Sequence, residues 1–487
     1  MGFKTDSSFL RFLTMGAIGV RQTMSWLRAN GFEPIELERY CASNKIWMTK
    51  VKRLRLPDLL CVKTGLRLEV RAKSDLKIRM SDAPANPERT WDAGLRDDDV
   101  VALIAVGEER GTLRPADDPV IFTVKALRKS VATSKLGPPK SASEGAERDR
   151  TWPAVVPNRA GVVKSASAAK LVVEFGGDGN PARSQTFTLN GRKPYVKPGD
   201  AFVAEASILA GTPDSLADLR PYRSRSYDPI ADLKSANAVD RYAAVKAIPY
   251  RQDLEKRAVA ALEAILAKEP EERVALEAAG SAAAMGSKLG QERIEATLKG
   301  DGRADLRMEA VLILSELGSS YSRRELVRVA TDARFKGNEI RQAAVWGLGK
   351  KGLKSYSDLL QFIADADENV AMHAIVGLGD DASADVVEDL VRLLASEDVR
   401  KAAAASQALR QVGSAAAVGS LVRAAKNGSE WIVATLGRLP PDTVRKAVAG
   451  TDLAGRVEPL LLLNERTNWL SSEDRVMDLA FLDKQNI

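Results

Sequence analysis

Apolar residues between Phe9 and Asn30 recur at helical spacing, with Phe12, Leu13, Val20, Met24 and Leu27 toward one side. Asn30-Gly31 closes that run with a pair that tolerates the left-handed backbone of a helix end. Beyond it the period shortens. Phe32 to Tyr40, Arg53 to Val62 and Leu66 to Lys73 read as strands, the last two joined by a hairpin-like turn at Lys63-Thr64-Gly65. The continuous apolar run Asp99 to Val106 (DVVALIAV) reads as a buried fourth strand, and Pro119 to Val124 as a fifth. Strands flanked by helix predict an α/β domain over residues 1–135.

Residues 136–152 (LGPPKSASEGAERDRTW) are rich in Pro, Gly, Ser and charge, the composition of a linker. Residues 153–224 then alternate short strand signals with turns. Ala160 to Val163, Lys170 to Phe175, Ser184 to Leu189 and Asp200 to Ala206 are the strands; Gly-Gly-Asp-Gly at 176–179 and Asn190-Gly191 are the turns. That spacing predicts a small all-β barrel or sandwich module. No chemical motif is legible in it, and recognition of a substrate or partner is the role it suits.

Residues 225–487 repeat. A polar or basic residue, an Ala-rich apolar helix and a Gly recur as RYAAVKAI from Arg241, RVALEAAGSAAAMG from Arg273, RMEAVLILSELG from Arg307, RQAAVWGLG from Arg341, VAMHAIVGLG from Val370 and RKAAAASQALRQVG from Arg400. The starts are 32, 34, 34, 29 and 30 residues apart. Such a period, with two short helices to a repeat, means an α-solenoid. The pattern resembles HEAT-type repeats and spans about half the chain. Solenoids bind partners along an extended surface, so a protein partner is expected on this half. His373 lies in one of its helices with little nearby to share a metal, so a structural role is expected for it.

Composition narrows the function classes. The 487 residues are 45% hydrophobic and 28% charged, ordinary for a folded multidomain protein. No window is long and apolar enough for a spanning helix, so no membrane is expected. The Phe9–Val20 stretch is interrupted by Arg11 and lacks a small-residue cleavage site, which points to a cytoplasmic protein. Cys41 and Cys61 are too few for a disulfide framework or a four-thiolate zinc site, and the lone His373 excludes chemistry that needs two histidines.

Charge is uneven. Of 72 basic and 65 acidic residues, 36 and 26 lie within residues 1–224, which leaves 36 and 39 for the rest. The positive excess therefore belongs to the first half. It is densest from Lys45 to Arg79, a stretch suited to a polyanion such as DNA or RNA.

Candidate chemistry falls in the same stretch, RLRLPDLLCVKTGLRLEVRAKSDLKIR. Strand alternation puts Glu69, Arg71 and Lys73 on one face and Leu68, Val70 and Ala72 on the other. A hairpin would bring Asp58 near Glu69, so that both carboxylates reach one divalent cation. Mg²⁺ suits such hard oxygen ligands, and Mn²⁺ is a second metal the set admits. A bound water would be the nucleophile on a phosphodiester, with a neighbouring cation orienting it or stabilising charge on phosphate. The bland account of the same four residues is a ladder of cross-strand ion pairs.

Pro57-Asp58, ten intervening residues and then Glu69 resemble the PD-(D/E)xK motif of restriction-endonuclease-like nucleases. The preceding helix and strand, with GFEPIELERY after the helix, match that fold's order over roughly the first 125 residues. The resemblance implies a mixed central sheet flanked by helices, with Asp58 and Glu69 as metal ligands. The family lysine falls at Arg71, a residue that stays protonated; Lys73, one same-face step further, is its expected substitute. The acidic residue often carried by the family's first helix has no evident counterpart, the comparable position being Gln22. Many nucleases of this fold cut as dimers, which brings a homodimer with the resemblance.

Lys50, Lys52, Arg53, Arg55, Lys77, Arg79, Arg89 and Arg96 are the candidate nucleic-acid contacts, and Trp91 could stack on a base or cover the edge of the core. Together these readings predict a Mg²⁺-dependent endonuclease acting on DNA, joined to a β module and a sensing solenoid. Appended sensor solenoids resemble prokaryotic anti-phage systems. Two other classes compete: a non-catalytic nucleic-acid-binding or assembly scaffold, and a pure protein–protein adaptor.

Overall fold

A computed structural model describes residues 7–37, 47–49, 54–109, 112–142, 146–177, 180–300, 303–350, 352–425 and 430–466. They fall into two compact units, one within 11–41 and 52–285, the other within 1–10, 42–51 and 286–487.

The first unit is built on a mixed sheet. Helix α1 (Ser7–Ala29) leads into strands β1 (Pro34–Glu36), β2 (Leu59–Cys61), β3 (Arg67–Lys73), β4 (Arg79–Asp82), β5 (Val100–Glu109), β6 (Thr112–Pro115) and β7 (Val120–Thr123), followed by the short helix α2 (Val124–Lys129). The main sheet runs β1-β2-β3-β5-β7, with β6 hydrogen-bonded to β5. β3 and β5 are parallel, Glu69 beside Val101 and Lys73 beside Ala105; the other pairs are antiparallel. The expected strands all exist; within the spans Phe32–Tyr40 and Arg53–Val62 they cover Pro34–Glu36 and Leu59–Cys61, and residues 38–40 and 53 lie outside the described residues. The crossover from β3 to β5 carries β4 and a single 3₁₀ turn (Pro87–Arg89) rather than an α-helix.

Alternation decides what each face of this sheet covers. Leu59, Leu68, Val70, Ala102 and Ile104 join Val20 and Leu27 of α1 in one core. Val101, Leu103, Ala105 and Phe122 join Leu76, Ile78, Met80, Trp91 and Trp152 on the other. α1 lies so close to β3 that a Cβ at Gly19 would sit 2.7 Å from Ala72 Cβ, which no real pair of atoms tolerates. Gly19 is thus a packing residue, in keeping with its helical context. Phe12 departs from the predicted apolar face and is exposed.

The segment expected as a linker is folded. β8 (Lys135–Pro139) and β9 (Arg148–Thr151) pair with β4 in a three-stranded sheet ordered β4-β9-β8. Its polar composition reflects strands with no fully buried residue, not a chain without structure. Next come β10 (Ala154–Val155), β11 (Gly161–Ala166), β12 (Lys170–Gly177), β13 (Asn180–Thr188), β14 (Lys193–Pro194), β15 (Ala201–Phe202), β16 (Ala210–Gly211) and β17 (Ser215–Leu216). Sheets β13-β12-β11-β15 and β10-β16-β14 enclose one core of Val155, Val163, Leu171, Val173, Phe175, Phe202 and Leu209, so the predicted β module is a small two-sheet body. The strand expected over Asp200–Ala206 is only Ala201–Phe202. Part of the 176–179 turn lies outside the described residues. β17 returns to the first sheet and pairs with β7, so residues 1–135 and 153–224 are not separate bodies.

Helices follow to the end of the described chain. Within the first unit, Ala243 and Ala247 of the helix Ala238–Ala247 cover Ile35, Leu37, Leu60 and Val62. The earliest repeat thus belongs to the sheet's own body, and residue 225 is not a boundary between independent domains. In the second unit, helices Lys288–Lys299, Ala304–Leu317, Ser320–Thr331, Glu339–Leu348, Tyr356–Leu360, Glu368–Leu378, Ala384–Leu393, Val399–Val412, Ala415–Ala424, Glu430–Leu436, Pro441–Val448 and Leu453–Arg466 form the repeats. Asn338, Asp367 and Asp398 cap the helices that follow them by accepting backbone N–H bonds, satisfying donors no helix can satisfy itself. Arg341 forks onto Asp365 with bonds of 2.8 and 2.6 Å.

Candidate active site

The β2–β3 hairpin sets the site. It closes through Cys61 N–H donating to the Leu66 carbonyl at 2.8 Å and Gly65 N–H to the Cys61 carbonyl at 2.9 Å. Leu59 pairs with Leu68 and Leu60 with Arg67; continuing that register sets Asp58 opposite Glu69. Both carboxylates are buried, 3% and 8% exposed, and both belong to the face turned away from α1. Asp58 Oδ2 accepts the backbone N–H of Val70 at 2.7 Å. Arg71 pairs with the Glu69 carboxylate. The predicted stripe of Glu69, Arg71 and Lys73 is therefore present, with Asp58 across from its first member.

Lys73 sits in an environment that opposes its charge. Burial, then the neighbouring cations Arg79, Arg71 and Lys140, push its ammonium down to about 8, against an opposing pull from Asp149. Arg79 comes from β4, and Lys140 follows β8 and bridges Glu147 and Asp149 at 2.9 and 3.0 Å. The β4-β9-β8 sheet that replaces the expected linker thus brings cations around the end of the stripe. Sequence reasoning missed Lys140 because it read residues 136–152 as unstructured.

Asp58 and Glu69 are the residues that would hold a metal. Their carboxylate oxygens are the hard ligands a divalent cation that keeps several waters would use, and the strand register sets the two residues opposite each other. Among the described residues no cluster of three or more His, Cys, Asp or Glu side chains could hold a metal. The Glu69–Arg71 pair must open for Glu69 to serve as a ligand. Gln22 of α1 donates to the Asp117 carbonyl at 2.9 Å.

A further member of the stripe was legible by parity and overlooked. Arg67 shares the face of Glu69 and is 2% exposed. Its Nε donates to Asp99 Oδ1 at 2.9 Å and its Nη1 to Asp240 Oδ1 at 2.8 Å, with Nη2 paired to Asp99 Oδ2. Burial raises the Asp99 carboxyl, with Arg67 pulling the other way. Asp240 is also held by Arg96 at 2.5 Å, and although burial opposes it, Arg96 and Arg67 keep its carboxyl below the usual range. Arg96 is thereby committed to a protein carboxylate rather than presented to a polyanion.

The other predicted nucleic-acid contacts scatter. Arg55 donates to the Glu88 carbonyl at 2.8 Å. Lys77 pairs with Asp75, Arg79 lies 3.9 Å from Asp75 and 3.7 Å from Asp149, and Arg89 lies 3.3 Å from Glu147. Trp91 is buried, its ring edge-on to Trp152 at 5.3 Å, so it covers the core and offers no face to a base. Lys50, Lys52 and Arg53 lie outside the described residues. The remaining cysteine of the described chain, Cys61, is buried, and burial pushes its thiol up to about 12.

A family model of HEAT repeats matches residues 356–437, inside the stretch whose period predicted a solenoid. Among solved structures, the complex of CpcE and CpcF of phycocyanin lyase from Nostoc sp. PCC7120 is similar at 20% identity over 50% of this chain and 96% of that one, with a TM-score of 0.25. Human deoxyhypusine hydroxylase in complex with glycerol is similar at 18% identity over 48% and 97%, with a TM-score of 0.22. An engineered protein is similar at 16% identity over 53% and 78%, with a TM-score of 0.25. No curated protein matches the chain. No helix among the described residues is long and apolar enough to cross a membrane.

Proposed function

We propose that the sheet-bearing unit is a metal-dependent nuclease acting on DNA, of the restriction-endonuclease-like class, and that the HEAT repeats engage a protein partner that sets where or when it acts. The observation that carries this reading is the placement of Asp58 opposite Glu69, with the depressed Lys73 further along the same face of β3. Mg²⁺ or Mn²⁺ held by the two carboxylates would supply polarisation of water and phosphate. Lys73, neutral in part near pH 8, would accept a proton at Nζ from the attacking water. Arg79 and Lys140 would hold the phosphate whose charge grows during attack. Arg71 would leave Glu69 for the same phosphate as the metal arrives.

A second reading is favoured by one feature. The Glu69–Arg71 pair occupies a would-be metal ligand, as expected of a nuclease fold that has kept nucleic-acid binding and lost cutting. Plasmid, linear duplex, single-stranded DNA and RNA incubated with Mg²⁺, Mn²⁺ or EDTA separate the two. Metal-dependent cutting by the wild type, lost in Asp58→Asn and Glu69→Gln, supports the nuclease. Salt-sensitive binding of every variant with no cutting of any substrate sinks it in favour of the scaffold.

A further inference from the structure

The second unit contains a short segment that is remote in sequence from its repeats. Residues 47–49 come from the connection between β1 and β2, yet they pack on the helices Glu339–Leu348 and Glu368–Leu378. Trp47 is 2% exposed. Its ring meets Trp346 edge-on at 6.1 Å and lies tilted against His373 at 5.2 Å, so it fills the seam between the two helices. The next two residues are held by one carboxylate. Met48 N–H donates to Glu339 Oε1 at 2.5 Å, and Thr49 donates to Oε2 through its N–H at 2.7 Å and its hydroxyl at 2.6 Å. Lys350 lies over the far ring, 4.2 Å from the Trp346 centroid.

These contacts combine an apolar anchor with a fixed backbone direction. A buried tryptophan supplies apolar area with few rotamers to freeze, and three donors on one carboxylate fix the direction of the backbone. We propose that Trp346, His373 and Glu339 form a peptide-binding site on the HEAT repeats, and that the chain's own Trp47–Thr49 is its resident ligand. The segment is a latch seated on the repeats of its own unit. A partner that opens it presents the same signature, an extended segment with a tryptophan, two free backbone N–H groups and a hydroxyl. The proposal does not rest on the nuclease reading.

An intramolecular ligand acts at an effective concentration near the millimolar range, so it excludes the same peptide offered in trans. The test uses the full-length chain and a fluorescein-labelled peptide of residues 42–53. By anisotropy the peptide is expected to bind Trp47→Ala at least tenfold more tightly than wild type, and to lose that gain in Trp47→Ala/Glu339→Ala. Glu339→Ala alone, which leaves the core intact, is expected to speed tryptic cleavage around residues 45–52 severalfold. Equal peptide binding by wild type and Trp47→Ala, with native circular dichroism in both, overturns the proposal, as does unchanged proteolysis of Glu339→Ala. A wild-type mass in solution of two chains that falls to one in Trp47→Ala also overturns it, because the segment would then belong to a second copy.

Discussion

The amide of Val70 donates to Asp58 Oδ2 at 2.7 Å, so the carboxylate that leads into β2 is fixed to the strand carrying Glu69. Asp58 therefore has a structural duty beside any chemical one, and two substitutions separate them. Asp58→Ala leaves a buried N–H without its acceptor and is expected to cost about 1–3 kcal/mol. Asp58→Asn keeps a carbonyl oxygen at that place and is expected to unfold within about 1 kcal/mol of wild type in urea. If the carboxylate is a ligand, Asp58→Asn nonetheless loses Mn²⁺ binding in a calorimetric titration. Equal Mn²⁺ affinity in wild type and Asp58→Asn would confine Asp58 to its structural duty.

Lys73 titrates in an environment that opposes its charge, and its sign can be worked through. The folded group has a pKa of about 8 against an ordinary 10.5. Below pH 8 both folded and unfolded chains carry the proton, and the folded one bears the cost of a buried cation beside Arg79, Arg71 and Lys140. Lys73→Met should thus be more stable than wild type by up to about 3 kcal/mol at pH 7. The gap should close as pH rises from 8 to 10.5, where only the unfolded chain still holds the proton. Lys140→Met removes a like charge and is expected to raise the Lys73 midpoint, read by NMR of labelled lysine. A midpoint that stays put would mean Lys140 does not face Lys73 in solution.

Arg67 illustrates a different balance. It is buried between Asp99 and Asp240, and removing it leaves the Asp99 carboxylate buried without its cation, while Asp240 keeps Arg96. Arg67→Met is expected to cost about 3–5 kcal/mol. Arg67→Met/Asp99→Asn should recover part of that loss, since one uncompensated charge goes with the arginine. Urea unfolding of the two variants beside wild type checks both statements, and a double variant no better than the single would deny the coupling.

The helical repeats were the most legible part of this chain, because their period survives in Arg241, Arg273, Arg307 and Arg341 even where the helices diverge. The β2–β3 hairpin was legible for the same kind of reason: alternation assigns Glu69, Arg71 and Lys73 to one face by parity alone. What escaped the sequence were contacts made at long range. Residues 136–152 look like a linker because the strands Lys135–Pro139 and Arg148–Thr151 have no fully buried residue, so the hydrophobic signal of a strand is missing. Trp47 gives no sign of its partners, since Trp346 and His373 lie some three hundred residues on. Trp91 had two readings, and only packing against Trp152 could choose the core.

His373 is a stability determinant whose pH dependence has a definite direction. It is 1% exposed among Trp47, Trp346 and the helix core, and burial, with a smaller push from Lys350, takes its pKa from 6.5 to about 3. Above pH 6.5 neither state is protonated and the residue carries no pH-linked cost. As pH falls from 6.5 toward 3 the unfolded chain takes up a proton that the folded chain refuses, so stability declines by about 1.4 kcal/mol per unit. His373→Leu keeps the apolar contact with the Trp47 ring and removes the proton site. Urea midpoints at pH 7, 6, 5 and 4 should therefore fall more steeply for wild type than for His373→Leu, the difference growing as pH drops. Parallel slopes would place the acid sensitivity of the repeats in their carboxylates instead, of which Asp365 and Asp381, held below the usual range by Arg341 and Lys354, are the first to consider.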